Sequence, residues 1–441
     1  MILSETLSYA DMRHRFIAWL LSLVALSGTT RAENWPQFRG PTGVGLTSEK
    51  QLPLEWGGSD GKSNTLKNVL WSTDLPGEGH ASPIVWEDRV FVCTVKWTQD
   101  AADRLHIPDH HVTCYRTADG KQGWDTLIKP GLWLRSDFRS GSGGGYAAPT
   151  PCTDGRHVFV AFGSAVLASL DLNGQLVWRK DLLPYTFDVT LGSSPILYGD
   201  TVIMLCAMAN KSDSRLVAFN KSDGQLKWET KMPTVSFAHS TPVIIDVKGK
   251  PQMLVLASGM KVTDDGLQSF DPATGERLWW CQGGGDAASP AYGDGIVYFD
   301  SGRGGPGFAV DPTGTGDVTN TNVKWTIPKV TEAIGSPVIT GGYVYRLQSP
   351  GKLRCWKTDT GVEMYSQKLD GITSWWASPI ADMEGHLFFA NAGRSFVVKA
   401  GPEFNLLATN DLNDPNHASA AVSDGRMYLL GRKKIYCIGR Q

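Results

Sequence analysis

"GSPVITGGYVY" (residues 335–345) holds a Ser-Pro, a short apolar run, a glycine turn and a second apolar run. The phrase returns as "ASPIVWEDRVFV" (81–92), "SSPILYGDTVIM" (193–204) and "ASPAYGDGIVYF" (288–299). Two apolar runs flanking a Gly or Asp turn read as a tight hairpin. Each phrase opens on a proline: Pro83, Pro149, Pro195, Pro242, Pro290, Pro337 and Pro379. An eighth copy, "HASAAVSDGRMYLLG" (417–431), carries Ala420 in that place. Eight copies about 45 residues apart have the period of propeller blades.

Each unit reads as four strands, A to D. Strand A follows the Ser-Pro and strand B is the next apolar run, as in "TVIMLC" (201–206). Strands C and D flank an Asp-Gly, Asn-Gly or Thr-Gly turn, as in "RLVAFNKSDG" and "QLKW" (215–228). The last unit stops after strand C at "KIYCIGRQ", and "NVLWSTDLP" (68–76) supplies the missing strand with Trp71 in register. The expected fold is therefore an all-β, eight-bladed β-propeller of four-stranded antiparallel blades, its ring closed by strand 68–76 completing the last blade. Proline suits the start of strand A, because an innermost strand leaves one edge without ladder bonds.

Composition narrows the class. The 441 residues include 42 Lys+Arg and 44 Asp+Glu, so no basic stripe points to nucleic acid. Arg13, His14 and Arg15 precede the apolar run "FIAWLLSLVALSG" (16–28) and a small-residue cut site at Thr30 and Ala32. Residues 1–32 thus read as an export signal, 33–67 as an extension and 68–441 as the propeller. Cleavage would leave no membrane span and a periplasmic or extracellular product. With no Cys near the cut, no lipid anchor is expected. Seven Cys leave at least one unpaired, and no C-x-x-C suggests zinc.

The C–D phrase "SFDPATGERLW" (269–279) resembles the tryptophan-docking repeat of the quinoprotein alcohol dehydrogenase-like superfamily, A-x-D-x-x-T-G-x-x-x-W, through Asp271, Thr274, Gly275 and Trp279. "NWPQFRGPTGVG" (34–45) resembles the opening of exported PQQ-like β-propeller repeat proteins. Two relatives imply different functions. The quinoprotein dehydrogenases hold pyrroloquinoline quinone and Ca²⁺, but their vicinal Cys pair is missing here and their calcium carboxylates match no residue by motif. The propeller lipoprotein of the outer-membrane barrel assembly machine is a non-catalytic scaffold; its lipidated Cys is missing here.

Candidate site residues come from the repeat. Three places before each proline, or before Ala420, stand His80, Tyr146, Gly192, His239, Ala287, Ile334, Trp376 and His417. These positions enter strand A at one mouth of the channel, and ring closure makes the blades of His80 and His417 neighbours. Glu78, Asp286, Glu332 and Trp375 lie beside this rim. The expected role is a non-catalytic binding module, a monomer using His80, Tyr146, His239, Asp286, Glu332, Trp376 and His417 to hold a protein or glycan. One alternative is a quinoprotein-type oxidoreductase with PQQ and Ca²⁺, Asp286 or Glu332 offering oxygen ligands. Another is a transition-metal site on the rim histidines or on His106, His110 and His111. The loops 97–111 and 130–147, the latter with "SGSGGG" (140–145), extend the same face.

Overall fold

The computed structural model describes residues 32–58, 66–97, 107–131, 145–183, 191–208, 211–235, 238–257 and 266–441. The signal at 1–32, except Ala32, therefore lies outside the described residues. So do His106 and the middle of both long loops.

Blade 3 shows the common plan. Strands Ile196–Tyr198, Thr201–Cys206, Arg215–Asn220 and Leu226–Lys231 pair antiparallel in that order. Thr201–Cys206 is buried throughout, because both its faces meet neighbouring blades. Leu226–Lys231 is outermost and alternates toward solvent. Eight such sheets form, and a two-residue strand, Gly316–Asp317, adds parallel to the outer strand of blade 4. Closure is as expected: Val69–Asp74 pairs antiparallel with Lys434–Ile438, Trp71 opposite Cys437.

Tryptophans join the blades. The outer-strand indoles of Trp71, Trp124, Trp178 and Trp325 donate to carbonyls in the next blade's C–D turn, 2.8–3.0 Å away. Gly224, at φ +69°, lies under Trp178, and a Cβ there would stand 2.8 Å from that ring. Trp279 differs: its indole bonds Gln252 Oε1 in its own blade, and Gln252 Nε2 reaches Pro312 O of blade 5.

Around the axis, the residue before each A strand's proline, or before Ala420 in blade 8, builds a belt. The Ser82 N–H donates to Thr150 Oγ1, Thr150 to Ser194, Ser194 to Thr241 and Thr241 to Ser289. Ser289 donates to Ser336, Ser336 to Ser378, Ser378 to Ser419 and Ser419 to Ser82, every bond 2.8–3.1 Å. This belt corrects one register. Blade 2 contributes Thr150, and its A strand, Cys152–Thr153, follows Pro151 rather than Pro149. Two prolines in "PTP" (149–151) made the choice ambiguous in sequence.

The segment 33–58 ties blades together at the opposite ends of the A strands. Trp35 pairs with Val85 of blade 1, and Pro36 O accepts Thr153 N of blade 2. Leu46 bridges Ala381 of blade 7, and the Glu49 carboxylate takes the N–H groups of Asp424 and Gly425 in blade 8. Arg39, 2% exposed, donates to Pro337 O of blade 6 and to Val44 O at 2.7 Å. Burial first, and Arg346 second, pull its guanidinium down to about 9. All seven cysteines are buried and unpaired. Burial pushes their thiols up, that of Cys114 to about 12, so they serve as small core residues. Among the described residues no helix is long and apolar enough to cross a membrane.

Candidate functional site

Ring closure brings the loop before blade 1 against the loop before blade 8. His80 Nδ1 stands 2.8 Å from Asn416 Oδ1. Asn416 is 5% exposed; its Nδ2 donates to Gly79 O and Gly431 O, and its Oδ1 accepts the N–H of His417 and of Ala418. The amide orientation is thereby set, and in the neutral His80 ring the proton is assigned to Nδ1. His417 takes the other tautomer. Ser374 Oγ accepts the N–H of Trp376 and of Ala377, which directs its own proton to His417 Nδ1, 3.0 Å away. The two imidazoles lie 5.2 Å apart, centroid to centroid. Burial first, then His80, lowers His417 to about 4, so this ring is neutral at pH 7. Trp376 tilts 30° over it at 4.5 Å and is 42% exposed.

A groove of about 420 Å³ opens beside these rings, lined by Glu78, His80, Thr373, Asn416, His417 and Arg432 among others. It mixes apolar wall, hydrogen-bond donors and one charge of each sign, a common make-up for a recognition site.

The other nominated residues are placed elsewhere. With Pro151 as the repeat proline, Ala148 takes the rim position of blade 2. Tyr146 drops into the core at 1% exposure, beside His110 and Trp97. His239 packs its ring on Gly192, and its N–H donates to Asp286 O at 2.5 Å. The Asp286 carboxylate is 3% exposed and bonds Arg303 at 2.9–3.3 Å. Burial raises its pKa against the opposing Arg303. Glu332 is exposed in the next blade's loop.

These carboxylates do not fit a calcium ion: the oxygens of Asp286 are engaged by the Arg303 guanidinium, and neither residue belongs to a cluster of three possible ligands among the described residues. Among the described residues the one trio of possible ligand atoms within 4.8 Å is Asp382, Glu384 and His386, which includes no rim residue. His110 and His111 sit on strand Asp109–Arg116 rather than in a loop. Strand alternation points them to opposite faces. His110 bonds Ser164 and stacks on Phe162, whereas His111 bonds Asp125, so the two do not share a metal.

The repeat rule located His80, Trp376 and His417, and the structure brings these three together. It missed Asn416, Ser374 and Arg432. The one available signal was "NHAS" (416–419), where a polar residue precedes the rim histidine.

A family model described as outer membrane protein assembly factor BamB matches residues 108–263 and 242–380. Outer membrane protein assembly factor BamB of Bordetella pertussis (strain Tohama I) is 26% identical over 258 residues, 54% of this chain and 58% of that protein. The match thus spans less than two thirds of that relative. BamB from Moraxella catarrhalis superposes with a TM-score of 0.60 at 13% identity, covering 85% of this chain and 97% of that one. A europium-containing methanol dehydrogenase superposes at 0.53 and 11% identity, covering 92% and 89%. At such identities the likeness to both structures is one of fold. The matched stretches together run from 108 to 380, more than half of the sequence, and the chain belongs to the PQQ-repeat propeller family described as outer membrane protein assembly factor BamB.

Proposed function

We propose that this chain is an exported, non-catalytic binding propeller that holds a segment of a partner protein at the seam between blades 8 and 1. The observation that carries this reading is Trp376, 42% exposed and tilted over His417, whose ring lines the groove. A large aromatic on a rigid ring offers contact area with little entropy to lose. The family description, an assembly factor, supports a scaffold. The basic and apolar run at 13–28 supports export.

The test is site-specific photo-crosslinking in the native host. A photoreactive residue at Trp376 should give one discrete protein adduct. The same residue at Leu226, on an outer strand edge, should not. Equal adducts at both places, or none at Trp376, would overturn the reading. Adducts to polysaccharide would favour a glycan ligand. Tight, stoichiometric uptake of pyrroloquinoline quinone with Ca²⁺ would favour the oxidoreductase alternative.

A further inference from the structure

We infer that the groove recognises an acidic side chain of the partner segment, with Arg432 as its ion-pair donor and His417 Nε2–H as a second donor. This rests on the binding role proposed for the same groove.

Arg432 belongs to the B–C turn "GRKK" (431–434) of blade 8. The Asp414 carboxylate holds that turn from beneath. Its oxygens accept the N–H groups of Arg432, Lys433 and Lys434 at 3.0–3.2 Å and the Tyr436 hydroxyl at 3.1 Å. Asp414 thus binds the backbone of this basic turn and, among the described residues, forms no ion pair with the side chains of Arg432 or Lys433. Lys434 pairs with Asp74, but Arg432 and Lys433 have no acidic partner among the described residues. Arg432 is exposed and lines the groove.

His417 adds direction. Ser374 occupies its Nδ1, so the neutral ring carries its proton on Nε2, and the ring lines the same groove. Glu78 is the one acidic side chain in the lining. A guanidinium beside a neutral N–H donor matches the two oxygens of a carboxylate. The source is an internal Asp or Glu rather than a chain terminus. Terminal carboxylates are captured by free backbone N–H groups, and here Asp414 already takes those of 432–434.

The experiment uses the processed full-length chain and a fluorescent, end-blocked peptide, acetyl-GEEFEEG-amide, with its Glu→Gln counterpart as control. The Glu peptide should bind, and about tenfold more tightly than the Gln peptide. Arg432→Glu should abolish that preference without moving the thermal midpoint. His417→Gln keeps a donor and should retain most of it. Equal binding of the two peptides, no binding of the Glu peptide at millimolar concentration, or an unchanged preference in Arg432→Glu overturns the inference. Crosslinking at Trp376 is independent of this result. An adduct there without carboxylate preference keeps the binding site and rejects only the acidic ligand.

Discussion

The N–H of Ser419 donates to the hydroxyl of Ser82 across 3.0 Å, joining the last blade to the first. With that bond a circuit of eight like bonds, all running in the same sense, returns to its origin. The recurring Ser-Pro therefore has two parts. Proline leaves the inner edge without a ladder donor. The preceding Ser or Thr accepts the one N–H that convergence on the axis would otherwise bury unpaired.

Ser82→Ala removes the acceptor of a buried N–H and should cost about 1–3 kcal/mol. Ser82→Thr, which keeps the hydroxyl, should cost far less. Urea unfolding midpoints compare the two, and equal losses would mean that volume rather than the hydrogen bond matters.

Two tryptophans should separate closure from recognition. Trp71 bonds Thr117 O of blade 1 and packs near Tyr428 of blade 8, so Trp71→Ala should cost about 2–4 kcal/mol. Trp376→Ala removes an exposed ring and should change stability by less than about 0.5 kcal/mol. A large loss in the second variant would make the rim structural.

Gly224 and Gly199 both have positive φ, but only Gly224 lies under an indole. Gly199→Ala should cost about 1 kcal/mol for the backbone alone. Gly224→Ala should cost that and roughly 1–3 kcal/mol more for displacing Trp178. Equal losses would show that the indole yields freely.

Stability should fall on mild acidification. Burial lowers His110 to about 3 and His417 to about 4, both below their unfolded value of about 6.5. The unfolded chain then binds more protons between those limits, so this contribution is complete above about pH 6.5 and declines as pH drops. At pH 5 His110 alone should cost about 2 kcal/mol. Asp286, raised by burial, works in the opposite sense as its carboxyl titrates. Unfolding midpoints at pH 7 and pH 5 measure the difference, and His417→Gln should flatten part of it. Equal midpoints in the unmodified protein would refute the assignment.

Local rules made most of the ring legible. Turn glycines, edge prolines, buried B strands and docking tryptophans each act within a few residues or between successive blades. They recur with the period, and the period implied that strand 68–76 must complete the last blade. The period also singled out His80, Trp376 and His417. It did not reveal that Pro151, rather than Pro149, sets the register of blade 2, nor that Tyr146 falls inside the core. It was also silent on the group that holds the site: His80 meets Asn416 across 336 residues, and Ser374 meets His417 across 43. Such contacts depend on how the loops of different blades converge once the ring is closed. Local sequence encodes hydrogen-bonded strands and their turns; which side chains from distant loops share a groove follows from packing eight blades around one axis.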